Sequence, residues 1–162
     1  MKLKISGASK PKRDIIKKLV HWTVNNYIGE RGTRNITIYL RFTSPINPKE
    51  DGQCTWHDKN YKPREFDIEI SDKLKNQYLY YAIIHECIHV KQFYYGELSQ
   101  DLRTNYFKWQ GKLYPYFSAS TKQYRNFPWE REAYKYQKIL YKKLKNELRD
   151  CERREGTKKL HN

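Results

Sequence analysis

SDKLKNQYLYYAIIHECIHVKQFYYG, residues 71–96, is the stretch whose reading decides the fold. Leu79, Ile83 and Cys87 recur at four-residue steps, and Ile84, Ile88 and Val90 widen the apolar surface, which predicts a helix over about 73–95. Ser71 reads as its cap, Asp72 suits the positive end, and Gly96 is a natural stop. Within it lies His85-Glu86-Cys87-Ile88-His89. Residues four apart on a helix share one face and stand about 6 Å apart along the axis. Two imidazoles so placed can converge on one ion at about 2.0–2.1 Å each. Glu86 is rotated from His85 by about 100°, so it cannot bind beside them, but it can lean toward a metal-held water. The intervening Cys87 reads as a small buried thiol rather than a ligand. The bland alternative is a pair of ordinary histidines on a partly exposed helix.

On the N-terminal side, Glu65–Ile70 alternates Phe66, Ile68 and Ile70 with polar partners, the pattern of a half-buried strand. Asn35–Phe42 is rich in β-branched and aromatic residues and reads as another strand. Either strand is expected to offer an edge to an extended peptide. Residues 44–60 read as a loop, and 11–28 as a helix lined by Ile15, Leu19, Trp22 and Ile28 and closed by Gly29. On the C-terminal side, 106–114 reads as a hairpin turning at Gln110-Gly111. A last helix over 128–151 opens with Pro128, and Ala133, Tyr136, Leu140, Leu144, Leu148 and Cys151 line one stripe of it. The expectation is one α+β domain over residues 1–151, followed by a polar basic tail at 152–162. Its small, mostly antiparallel sheet should pack on the histidine-bearing helix, flanked by N- and C-terminal helices.

A catalytic zinc site keeps three protein ligands and leaves a position for water. His21, His57 and His161 have no ligand-like context, whereas Pro128-Trp-Glu-Arg-Glu-Ala133 offers two carboxylates. At 100° per residue, Glu130 falls about 60° from the centre of the apolar stripe and Glu132 about 100° away. Glu130 is therefore the expected third ligand, and Glu132 is expected to be solvated or to support a ligand histidine.

HECIHVKQ followed by PWEREAY resembles the small H-E-x-x-H zincins of phages and bacteria, which take a glutamate as third ligand from a P-[WF]-E-x-E-A segment. The chain is similar, more remotely, to SprT-like domains and to HtpX-type gluzincins, whose ligand glutamate lies three residues before an alanine. That position here is Glu130, three before Ala133. The likeness spans about Asn35 to Leu148 and is specific only in those two motifs. Three departures stand out. The interval from His89 to Glu130 is longer than in the most compact zincins. Tyr134 stands where HtpX-type proteins carry an aspartate, so the carboxylate that would orient a ligand histidine is unidentified. The third histidine usual in SprT-like domains has no counterpart. The resemblance implies a zincin-like fold, bound Zn²⁺ and peptide-bond hydrolysis, with Glu86 as general base and acid. An oxyanion donor is also required; Tyr124 and Tyr134, both near Glu130, are the expected candidates.

Charge sets a second expectation. Lys and Arg outnumber Asp and Glu by 33 to 18, a net +15 gathered at both ends of the chain. Such a field attracts nucleic acid or another polyanion, or it is simply a solvated surface. The runner-up function is accordingly a catalytically silent zincin-fold structural or nucleic-acid-associated protein, such as a phage virion component. Trp109 among its tyrosines and lysines could stack on bases, but packing beneath a long loop is the favoured role. Three widely spaced cysteines and no apolar leader or membrane span point to a reducing cytoplasm, that of a host if viral, or to a virion, and a monomer is expected.

Overall fold

The computed structural model describes residues 1–44, 51–58, 62–101, 104, 106–115 and 121–159. In chain order its elements are β1 (Lys2–Ser6), α1 (Lys10–Thr33), β2 (Thr37–Thr43), β3 (Gly52–Trp56), β4 (Glu65–Ser71) and α2 (Asn76–Tyr95). There follow β5 (Leu98–Asp101), β6 (Tyr106–Trp109), β7 (Lys112–Pro115), α3 (Thr121–Arg125) and α4 (Pro128–Lys159). The class is α+β, as expected.

The period-two alternation in β2 and β4 assigns their faces. Ile38, Leu40, Phe42, Phe66, Ile68 and Ile70 are buried on one side, against α1 and α2. The other side carries a polar cluster in which Arg41 reaches Asp67 and Glu69, and His57 pairs with Asp67. Strand order is β1-β2-β4-β3, with β1 and β4 both parallel to β2 and only β3 antiparallel to β4. The expectation of a mostly antiparallel sheet on the histidine-bearing helix is thus corrected: it holds only for the separate β5-β6-β7 sheet. A parallel pair needs a long connection: α1 is the crossover from β1 to β2, and the chain reaches β4 from β2 by way of β3.

That arrangement makes β2 and β4 interior strands, so neither presents an edge; among the described residues β1 and β3 are the edge strands. β3 was hidden in the expected loop because GQCTW is short and has no apolar run. It exists through pairing with β4 and through Gly52, Cys54 and Trp56 turning toward α2, where Trp56 packs on Phe93 at 4.4 Å. Residues 45–50 and 59–60 of that loop lie outside the described residues.

Helix boundaries moved where pairing won over local signals. Ser71 stays in β4 opposite Thr43, and the Asp72 amide continues the ladder to Thr43, so α2 begins at Asn76 rather than 73. At its other end Gly96 adopts φ 71° and ends the helix, with the Gly96 and Glu97 amides donating to Phe93 and Gln92 carbonyls. Gly29 breaks α1 with φ 78° and ψ 161°, yet one more turn follows to Thr33. Within α1 it is Ile16 that is buried, while Ile15 is 53% exposed. The hairpin turns at Gln110-Gly111 as expected, both with positive φ. α4 runs past Cys151 to Lys159.

Candidate metal centre

Nine consecutive residues of α2, Ala82 to Val90, are buried, because the sheet and α1 pack on it, β3 covers one flank and α4 another. A helix with burial all round carries polar side chains in its middle only if they find partners. His85, Glu86 and His89 are those side chains, and His85 and His89 find theirs on α4 and on α2 itself.

α4 delivers the third group through its first turn. Trp129 is 1% exposed, stacked on Phe127 at 4.5 Å and ringed by Phe107, Tyr114 and Trp109 from the β6–β7 hairpin. This aromatic nest settles Trp109 as a packing residue. It also pins the N-terminus of α4, where Pro128 lacks only an amide that would have no helical partner. With Trp129 anchored, the next residue, Glu130, points at the two imidazoles and is 2% exposed.

His85 Nε2 and His89 Nε2 stand 3.1 Å apart; Glu130 Oε2 is 3.2 Å from the first, and Glu130 Oε1 3.3 Å from the second. Donors held at about 2.0–2.1 Å by one tetrahedral ion are about 3.3–3.4 Å from each other. The three separations are close to that spacing, with each carboxylate oxygen of Glu130 beside one imidazole. Among the described residues this is the sole cluster of three or more His, Cys, Asp or Glu side chains with that capacity.

The outer nitrogens fix which atoms face the centre. His85 Nδ1 donates to Gln137 Oε1 at 2.9 Å, and His89 Nδ1 donates to Gln92 Oε1 at 2.7 Å. Gln92 cannot be turned over, because its Nε2 donates to the Trp129 carbonyl at 3.0 Å and to Glu132 at 2.7 Å. Both Nε2 atoms are thereby directed inward, toward a carboxylate. The buried Glu130 carboxylate calls for positive charge beside it, supplied by a proton on His89 or by a cation in the proton's place, and its Oε1 makes no hydrogen bond. The field there shows in the titration of His89. Its burial works against charge, yet Glu130 outweighs that and raises its pKa to about 9. Burial would likewise raise Glu130, but His89 and His85 hold it well below the usual carboxylate range. The site residues fit a divalent cation.

Glu86 faces β3. Burial raises its pKa above the ordinary carboxylate value, with neighbouring His85 and His89 opposing the shift. The glycine at 52 gives it room: a Cβ there would stand 3.0 Å from Glu86 Oε1, and 3.0 Å from both the Glu69 carbonyl oxygen and Ile70 Cδ1, so these neighbours would have to give. Cys87 is buried, and burial pushes its thiol pKa up, which suits a packing residue.

Of the two tyrosines expected at the site, Tyr134 has its ring 4.7 Å from that of His85. Burial, then Glu130, raises its pKa, so its hydroxyl stays a donor. Tyr124, on α3, lies edge-on to Phe127 at 6.1 Å. Glu132 supports the centre at one remove: it accepts from Gln92 and from Lys91, which also binds Glu97. Gln92 and Gln137 were missed from the sequence. Their only signal was spacing, three residues after His89 and seven after Glu130. His57 and His21 lie elsewhere, His57 on Asp67 and His21 partly exposed on α1, while His161 is outside the described residues.

No protein family, curated protein or solved structure matches this chain.

Proposed function

We propose that this protein is a zinc-dependent metallopeptidase of zincin type, with His85, His89 and Glu130 holding the metal and Glu86 acting as general base and then general acid. The observation that carries the reading is the buried cluster of two Nε2 atoms and a carboxylate with contacts of 3.1–3.3 Å, with Glu86 on the same helix turned toward the sheet edge. Two imidazoles and one carboxylate are a catalytic rather than a purely structural donor set, since they leave a fourth position open. Bound zinc would supply Lewis acidity, making water acidic near neutral pH and polarising a carbonyl.

The chain's own groups do the rest. Glu86, made more basic by burial, accepts the water's proton and returns it to the leaving amine. Tyr134, held protonated beside His85, donates to the developing oxyanion. Gln92 and Gln137 keep both imidazoles in the ligating tautomer. β3 is the sheet edge next to Glu86, so it replaces β2 and β4 as the strand on which an extended peptide would align.

Purified protein should carry about one zinc per chain and cleave a casein-like substrate. Glu86→Gln should abolish cleavage while keeping the metal; cleavage by that variant at the wild-type rate would overturn the mechanism. Zinc without proteolysis would favour instead a catalytically silent zincin-fold protein.

A further inference from the structure

α4 presents a continuous basic ridge on the face opposite the metal centre. Arg131, Lys135, Lys138, Lys142, Lys145 and Arg149 follow one another at steps of four and three residues, and all six are exposed. At 100° per residue they fall within a sector of about 80°. The buried residues Ala133, Gln137 and Leu140 point about 150° away from its middle. Helical rise spreads the six charges over about 27 Å of straight backbone.

Three features distinguish this ridge from a solvated charged face. Between Pro128 and Arg149 no acidic side chain shares the sector: Glu130 turns to the imidazoles, Glu132 to Gln92 and Lys91, and Glu147 to Trp22 and Lys143. None of the six cations has an ion-pair partner among the described residues. Lys135 and Lys145 stand near the rings of Tyr136 and Tyr141, contacts that hold the side chains without neutralising them. Uncompensated like charges four residues apart destabilise a helix, so the arrangement carries a standing cost that an anionic partner would relieve.

We infer that the outer face of α4 is a docking surface for the phosphodiester backbone of nucleic acid. A duplex carries one charge per about 1.7 Å of axis, so it presents a polyanion along the whole length of the ridge. A lipid surface fits less well, because an interfacial helix places apolar side chains beside its cations. Here the exposed apolar residues, Ile139 and Leu148, lie about 80° and 100° off the ridge on opposite sides. Glu130 and Gln137 are turned about 100° and 120° away from it, so docking leaves the metal centre unobstructed. This surface stands whether or not the chain is a peptidase.

The test uses the full chain and a fluorescein-labelled 20-base-pair duplex, with binding followed by anisotropy between 50 and 200 mM salt. Wild type should bind with a log–log salt slope of about −3 to −5, the range for three to six phosphate contacts. Lys138→Gln/Lys142→Gln/Lys145→Gln should make the slope shallower by about 2.7 and weaken binding at 0.1 M salt by about 100-fold. The comparison variant, Lys10→Gln/Arg13→Gln/Lys17→Gln on α1, removes the same charge from another exposed basic face and should bind within about threefold of wild type. Equal losses in the two triple variants would overturn the ridge as the site. So would absence of duplex binding, or binding only to anionic phospholipid vesicles.

Discussion

Gln92→Met removes hydrogen bonding from a wholly buried side chain while keeping an unbranched one of similar length. Gln92 is 0% exposed and holds three partners: His89 Nδ1, the Trp129 carbonyl and Glu132. Two consequences separate cleanly. Without its acceptor, His89 no longer prefers the tautomer with a free Nε2, and the ring loses the contact that fixes its plane. Losing such a support lowers metal affinity by about 10- to 100-fold, which is about 1.4–2.7 kcal/mol. The Trp129 carbonyl loses this donor at the turn that aims Glu130, a desolvation cost of about 1–3 kcal/mol to the metal-free fold. Glu132 keeps Lys91, so its share should be small. Zinc affinity measured against a competing chelator reads the first effect. Thermal unfolding of the chelated protein reads the second. If the variant binds zinc within twofold of wild type, Gln92 does not orient the ligand and the assignment of Nε2 as the donor loses its support.

Three further outcomes follow from the same geometry. Gly52→Ala drives a methyl group against Glu86 Oε1, so cleavage should fall by about 10²-fold while zinc content stays at the wild-type level; an unchanged turnover rate would show that Glu86 has room to move. Glu130→Ala should lose zinc on dialysis and Glu132→Ala should retain it, read by metal analysis; retention in the first would place the third ligand elsewhere. Once zinc is chelated, the raised pKa of His89 should give a stability that is complete below its ordinary value of about 6.5 and is lost as pH climbs through about 9. Glu130, shifted down, contributes fully above the ordinary carboxylate range and stays constant across that window. The chelated protein should therefore melt lower at pH 9 than at pH 6.5, and a melting temperature that rises over this interval would refute the ion pair.

The apolar face of the histidine-bearing helix was legible because Leu79, Ile83 and Cys87 recur at four-residue steps with Ile84, Ile88 and Val90 beside them, whereas the enclosure of His85, Glu86 and His89 came from β3 and α4. Preference for Glu130 over Glu132 came from helix phase, and the structure turns Glu130 to the imidazoles while Glu132 meets Gln92. The start of α2 was misread because Ser71 and Asp72 look like a helix opening in isolation, whereas pairing with Thr43 keeps them in the sheet. Long-range pairing likewise created β1 and β3, whose five residues each carry too little pattern to be read alone.

What the sequence by itself determined is whatever repeats with the backbone: two imidazoles one helical turn apart, the face carrying Glu130, the alternation in β2 and β4, and the turn at Gln110-Gly111. Those features depend on residues within a few positions of each other, and local geometry constrains them. Only the tertiary structure decided which strand is the free edge and that the sheet is mainly parallel. It also decided that two glutamines lock the imidazoles and that a glycine makes space for Glu86. Each of these joins groups distant in the chain, and a glutamine or glycine gains such a role only from the neighbour that folding brings to it.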